Sequence, residues 1–91
     1  MEFFEVLAQS GTIDILLTLH SKGNCRYSEL ESIVGNPRST SKRLKALVEL
    51  ELINRRILAD KYRSVEYSLT PLGKKLADHL DAIRELEQGR H

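Results

Sequence analysis

Eight of the fourteen lysines and arginines in this 91-residue chain fall between Asn36 and Ser64. They are Arg38, Lys42, Arg43, Lys45, Arg55, Arg56, Lys61 and Arg63, set against the three acids Glu49, Glu51 and Asp60. The segment therefore carries a net +5 and the remainder −4, so an overall charge of +1 conceals a basic block. Guanidinium and ammonium groups bind phosphate oxygens and guanine edges, and hydroxyls at a helix N-terminus donate to a phosphate that the helix dipole favours. Ser39, Thr40 and Ser41 place such hydroxyls among the cations, and Tyr62 sets an aromatic ring between Lys61 and Arg63. These groups have the chemistry of nucleic-acid recognition.

Catalysis has no comparable signal. No serine, cysteine or carboxylate pair has the spacing of a nucleophile with its base, and no glycine-rich phosphate loop is present. The chain is thus not expected to be an enzyme, and neither a cofactor nor a metal is implied. No apolar run approaches the roughly 20 residues of a membrane span. The beginning, MEFFEVLAQS, has early acids rather than a basic region before a long apolar stretch, so a cytoplasmic location is expected.

The elements that must position the basic groups follow from apolar periodicity. In residues 11–23, Ile13, Leu16, Leu17 and His20 recur at helical spacing with Ile15 and Leu19 beside them, which predicts a central helix. Cys25 to Tyr27 fits a short strand. Ser28 and Glu31 have the spacing of a capping box, opening a helix with Leu30, Ile33 and Val34 inward. Gly35 breaks that helix, and Asn36-Pro37 pairs a good N-cap with a first-turn proline. The next helix, Pro37 to about Leu50, packs Thr40, Leu44, Leu47 and Val48, leaving Arg38, Lys42, Lys45 and Glu49 on the free side. A switch to period two predicts two strands, around residues 53–59 and 65–69, joined by a tip at Asp60 to Ser64. Thr70-Pro71 then repeats the helix-start signal ahead of a stripe of Leu72, Leu76, Leu80, Ile83 and Leu86.

Two helices at a tight turn, the second basic on its free face, form a helix-turn-helix, and the following hairpin supplies a wing. The expected fold is mainly α with a small β-hairpin, a single winged helix-turn-helix domain over residues 1–91. The expected DNA-binding set is Arg38, Ser39, Thr40, Ser41, Lys42, Arg43, Lys45, Arg55, Arg56, Lys61, Tyr62 and Arg63. Dimerisation is expected from an N-terminal segment (about 1–10) and the last helix (about 71–88), through Phe3, Phe4, Leu7, Leu76, Leu80, Ile83 and Leu86, because one small domain cannot cover both apolar surfaces.

CRYSELESI (Cys25–Ile33), RLKALVELELINR (Arg43–Arg55) and VEYSLTPLGKKL (Val65–Leu76) together resemble HxlR-type winged-helix regulators, relatives of the MarR and ArsR groups. The resemblance implies a homodimeric, double-stranded-DNA-binding transcription factor with its recognition helix at Asn36 to Leu50. Glu51 departs from the pattern by standing where the family usually places glycine, and the tryptophan or lysine near the start of the first core helix is missing. The resemblance names no effector. Two sharper alternatives attach to single residues. Cys25, next to cationic Arg26, could serve as a redox thiol, set against the plainer reading of a small buried apolar side chain. His20, Asp78 and His79 could bind metal as in an ArsR-like repressor, set against an ordinary surface pair. A winged helix used for protein–protein contact is the remaining alternative, and it predicts a less basic surface.

Overall fold

Asn36-Pro37 and Thr70-Pro71 do start the two longest helices. The Asn36 side chain accepts from the Ser39 amide at 3.0 Å and the Thr70 hydroxyl from the Gly73 amide at 2.9 Å, with proline occupying a position whose amide needs no partner. The computed structural model describes residues 3–90, with helices α1 (Phe3–Leu7), α2 (Thr12–Lys22), α3 (Tyr27–Val34), α4 (Pro37–Glu49) and α5 (Pro71–Gln88). Strands β1 (Asn24–Arg26), β2 (Ile53–Ile57) and β3 (Val65–Leu69) form an antiparallel sheet in the order β1-β3-β2. The short strand predicted near Cys25 thus joins the hairpin, with Cys25 opposite Tyr67, as Arg55 is from the other side.

The predicted capping box is replaced by another. Helix α3 begins at Tyr27, and the carboxylate of Glu29 accepts from the Arg26 amide at 3.0 Å. That bond, and then Lys22 at 3.2 Å, hold the Glu29 carboxyl below the usual carboxylate range. The turn into α4 is short because Gly35 adopts φ 83° and donates its amide to the Glu31 carbonyl at 2.7 Å, leaving Asn36 alone as linker and cap. At the far end of α4, Leu52 N donates to Leu47 O (3.0 Å) and Glu51 N to Val48 O (2.9 Å). This pair of bonds defines a Schellman motif, whose left-handed position is filled here by Glu51 at φ 60°.

Ile15, Leu16 and Leu19 of α2 lie at the centre of the core, against Leu30, Leu44, Leu47, Ile53 and Tyr67. The expectation that the N-terminal apolar cluster stands apart is corrected in part: Val6 is fully buried, and Phe3 and Leu7 pack half-buried against the core. Residues 1 and 2 of the expected dimerisation segment lie outside the described residues. Leu80 is likewise 8% exposed and Leu76 half-buried, so both are committed to their own chain's interior. Phe4 (82%), Ile83 (58%) and Leu86 (75%) remain open. Helix α5 runs antiparallel to α2, with Asp78 against His20 and Arg84 beside Asp14 and Leu17. Among the described residues no helix is long and apolar enough to cross a membrane.

Candidate nucleic-acid interface

Helix α4 is held from three sides. Its inward face buries Thr40, Leu44 and Leu47. One flank is covered by the N-terminal elements: Ala46 is buried there, and Arg43 Nε donates to the Ser10 carbonyl at 3.1 Å. The other flank meets α3, whose Tyr27 hydroxyl donates to the Pro37 carbonyl at 3.1 Å and lies 3.3 Å from Ser41 Oγ. What stays exposed is a strip of Arg38, Ser41, Lys42, Lys45 and Glu49.

One of the predicted helix residues, Thr40, is thereby corrected, and two others, Arg43 and Ser39, are only partly free. Thr40 is fully buried and donates its hydroxyl to the Asn36 carbonyl at 2.7 Å, because it lies on the core side between Asn36 and Leu44. Arg43 spends its Nε–H on the turn between α1 and α2. Ser39 is half-buried on the same covered flank. Its amide is taken by the Asn36 cap. Tyr27, which residue-type reasoning passed over, is what ties the start of α4 to α3. Its aromatic ring in a helix-opening position, next to a short turn, is the signal that could have found it.

The two arginines of β2 part company because side chains alternate along a strand. Arg55 shares the face of Tyr67 and lines a cleft of about 520 Å³ with Ser41, Lys45 and Glu49 of α4. Arg56 lies on the outer face, where its cross-strand neighbour Glu66 accepts from it at 3.3 Å. Arg26 flanks Glu66 from β1, so this carboxylate sits between two guanidinium-bearing positions. Arg55 therefore belongs with the helix strip, while Arg56 is directed to the sheet's outer surface.

The wing tip is organised by Asp60. Its Oδ1 accepts from Ser64 N at 3.0 Å and Tyr62 N at 3.1 Å, and these bonds, that of Ser64 foremost, hold its carboxyl below the usual range. Leu58 N donates to Ser64 O at 2.7 Å, and Arg63 turns the chain with φ 51°. Lys61, Tyr62 and Arg63 are consequently presented to solvent, with Lys61 Nζ 5.8 Å from the centre of the Tyr62 ring. The acid inside the basic block is thus a fastening of the tip.

Cys25 is 1% exposed, and burial pushes its thiol pKa up, aided by Glu29. Arg26, the cation expected to activate it, alternates to the opposite face of β1. A buried, protonated thiol is a poor nucleophile, which removes the basis for the redox alternative. His20 Nε2 and Asp78 Oδ1 meet at 2.6 Å, joining α2 to α5, and among the described residues no group of three or more His, Cys, Asp or Glu gathers as for a metal ion.

An N-capped helix with a cationic free strip, a two-residue turn before it and a fastened hairpin beyond it define a winged helix-turn-helix domain of the DNA-binding class. The sequence matches the HxlR-like helix-turn-helix family over residues 6–90, and the chain belongs to that family. No curated protein matches the sequence. Among solved structures the chain is similar to ytfH of Salmonella typhimurium, described as a transcriptional regulator, with TM-score 0.80, 28% identity, 92% of this chain covered and 76% of that one. A MarR-family protein of Porphyromonas gingivalis W83 gives TM-score 0.77 and 26% identity, covering 96% of this chain and 86% of the other. ZitR of Lactococcus lactis gives TM-score 0.79 and 26% identity over 94% of this chain, which spans 64% of the ZitR chain.

Proposed function

We propose that the chain is a sequence-specific regulator of transcription that binds double-stranded DNA as a homodimer. Helix α4 enters the major groove, and the wing lies on the flanking backbone or minor groove. The observation that carries this reading is the exposed strip of Arg38, Ser41, Lys42 and Lys45 on a helix whose other sides are fixed in the fold. Arg55 extends the strip across the cleft, and Lys61 and Arg63 extend it to the wing tip. A helix of this width fits a major groove, and its N-terminal residues are the ones that reach base edges.

Phe4, Ile13, Ile83 and Leu86 are exposed apolar side chains outside the reading unit. They support a two-fold dimer through α1 and the free half of α5, which would set two copies of α4 roughly 34 Å apart in successive major grooves. The matching operator is an inverted repeat. Selection of bound sequences from random duplexes tests specificity and half-site spacing together. Titration across salt tests the phosphate contacts: a dimer making about 6–10 of them loses roughly a thousandfold in affinity between about 50 and 200 mM salt. Affinity that hardly changes over this range would contradict the reading.

A further inference from the structure

The hydrogen-bond chain from Pro37 through Tyr27 to Ser41 has one consistent direction. The Pro37 carbonyl carries no proton, so it accepts, and the hydrogen in that 3.1 Å bond is the phenolic one of Tyr27. A phenol has a single O–H. The 3.3 Å contact between Tyr27 Oη and Ser41 Oγ is then a hydrogen bond with Ser41 as donor. The one hydroxyl hydrogen of Ser41 is then spent inside the protein, and Oγ has only lone pairs to offer a ligand at this exposed position on α4, one turn ahead of Lys45.

We infer that Tyr27 fixes Ser41 as an acceptor, so that Ser41 reads an exocyclic base amine, adenine N6 or cytosine N4, and is a specificity-determining residue. Phosphate oxygens accept and offer no hydrogen, so an acceptor-only Ser41 gains nothing from the DNA backbone. Adenine and cytosine each present an amine donor in the major groove, and guanine and thymine present acceptors at the corresponding place. Tyr27 acts as a positioning residue, through Ser41. The neighbouring hydroxyls do not share the role, since Thr40 is buried against Asn36 O and Ser39 lies on the covered flank. The inference rests on the major-groove reading of α4 above.

Sequence selection on the full chain, followed by titration of the selected duplex, tests it with Tyr27→Phe and Ser41→Ala. The expected result is a preference for adenine or cytosine at one position per half-site, and an about fivefold to tenfold loss when that base is replaced by an analogue without the amine. In Ser41→Ala the same replacement costs nothing. In Tyr27→Phe, where the Ser41 hydrogen is released, the preference falls below about twofold, while the slope of affinity against salt stays that of the parent. Two results would overturn the proposal: Ser41→Ala weakening every sequence alike with a lower salt slope, the mark of a phosphate contact, or Tyr27→Phe keeping the parental base preference. Ser41 is exposed, so its variant carries the test even if Tyr27→Phe loosens the fold. A parent that selects no sequence at all defeats the DNA reading itself, which is distinct from a parent that selects a sequence Ser41 does not read.

Discussion

Helices α4 and α5 begin alike and are put to different use. Each has a capping side chain that accepts from the third helical amide and a proline at the first position. From that third position onward they diverge. Ser39 in α4 is half-buried, and the residues after it leave a cationic strip free. Gly73 in α5 is fully packed under the loop that leaves α4: a Cβ there would lie 1.9 Å from the Leu52 carbonyl oxygen. Cap chemistry is local and repeats wherever its residues do, whereas the face a helix offers is decided by what crosses it.

The comparison breaks most visibly at these two third positions. Gly73→Ala sets a methyl against backbone that no side-chain rotation can clear, so the expected loss is about 3 kcal/mol, at the upper end of the usual cost of overpacking. Ser39→Ala should stay within about 0.5 kcal/mol of the parent. Denaturant unfolding of both variants measures the difference. Equal losses at the two sites would mean that the close approach of Leu52 to α5 carries no energy.

The next largest effect separates the two helices by function. Ile83 is 58% exposed on α5, so Ile83→Asp should leave the fold intact while weakening the proposed dimer. Losing the second half-site lowers operator affinity by about a hundredfold or more. Sedimentation should show a folded monomer. Leu80 does not serve for this test, because at 8% exposure a charge there would unfold the domain rather than split the dimer. A variant that remained dimeric and bound its operator normally would remove α5 from the interface.

These cases show how far the sequence could be read. Apolar period, two cap-proline pairs and the basic block sufficed for the winged helix and for the exposed strip of α4. A helical wheel treats the two flanks of α4 as equivalent, and nothing in the spacing of Ser39, Arg43 and Ala46 reveals that the N-terminal elements cover one of them. Adjacent Arg55 and Arg56 likewise look the same until strand alternation is referred to Tyr67, whose inward side chain identifies the core face. The stripe of α5 could not be divided by pattern either. Leu80 and Ile83 stand in the same apolar stripe, yet one is 8% and the other 58% exposed.

A smaller contrast lies in the caps themselves. The Asn36 side chain serves one amide, while the Thr70 hydroxyl accepts from Gly73 N and also donates to the Glu51 carbonyl at 2.6 Å. Asn36→Ala should cost about 1 kcal/mol, the ordinary value of an N-cap, and Thr70→Ala about 2 kcal/mol, since a carbonyl at the end of α4 loses its partner as well. Thermal unfolding of the pair ranks them. The reverse order would show that the Thr70 to Glu51 bond adds nothing to the junction between the helices.

The smallest effect sharpens the comparison at the other ends of the same helices. Both helices close on a C-cap of ordinary backbone, Gly89 at φ −80° and Leu50 at φ −81°, but α4 is followed at once by Glu51 at φ 60°. A left-handed backbone costs a residue with a Cβ about 1–2 kcal/mol, and glycine escapes that cost. Glycine in turn loses more backbone freedom on folding, by about 0.5–1 kcal/mol. The balance for Glu51→Gly is a gain of about 0.5–1 kcal/mol, or a rise of a few degrees in Tm for a domain of this size. Two bonds hold the turn regardless of the side chain, Glu51 N to Val48 O and Leu52 N to Leu47 O, so the substitution keeps the geometry. Glu51 lies past the C-terminus of α4, away from Arg38 and Lys42, and operator affinity should not fall. A loss of stability in this variant would mean that the Glu51 side chain makes a favourable interaction larger than the strain of its backbone, and that the two helix ends are better matched to their residues than the dihedral angles indicate.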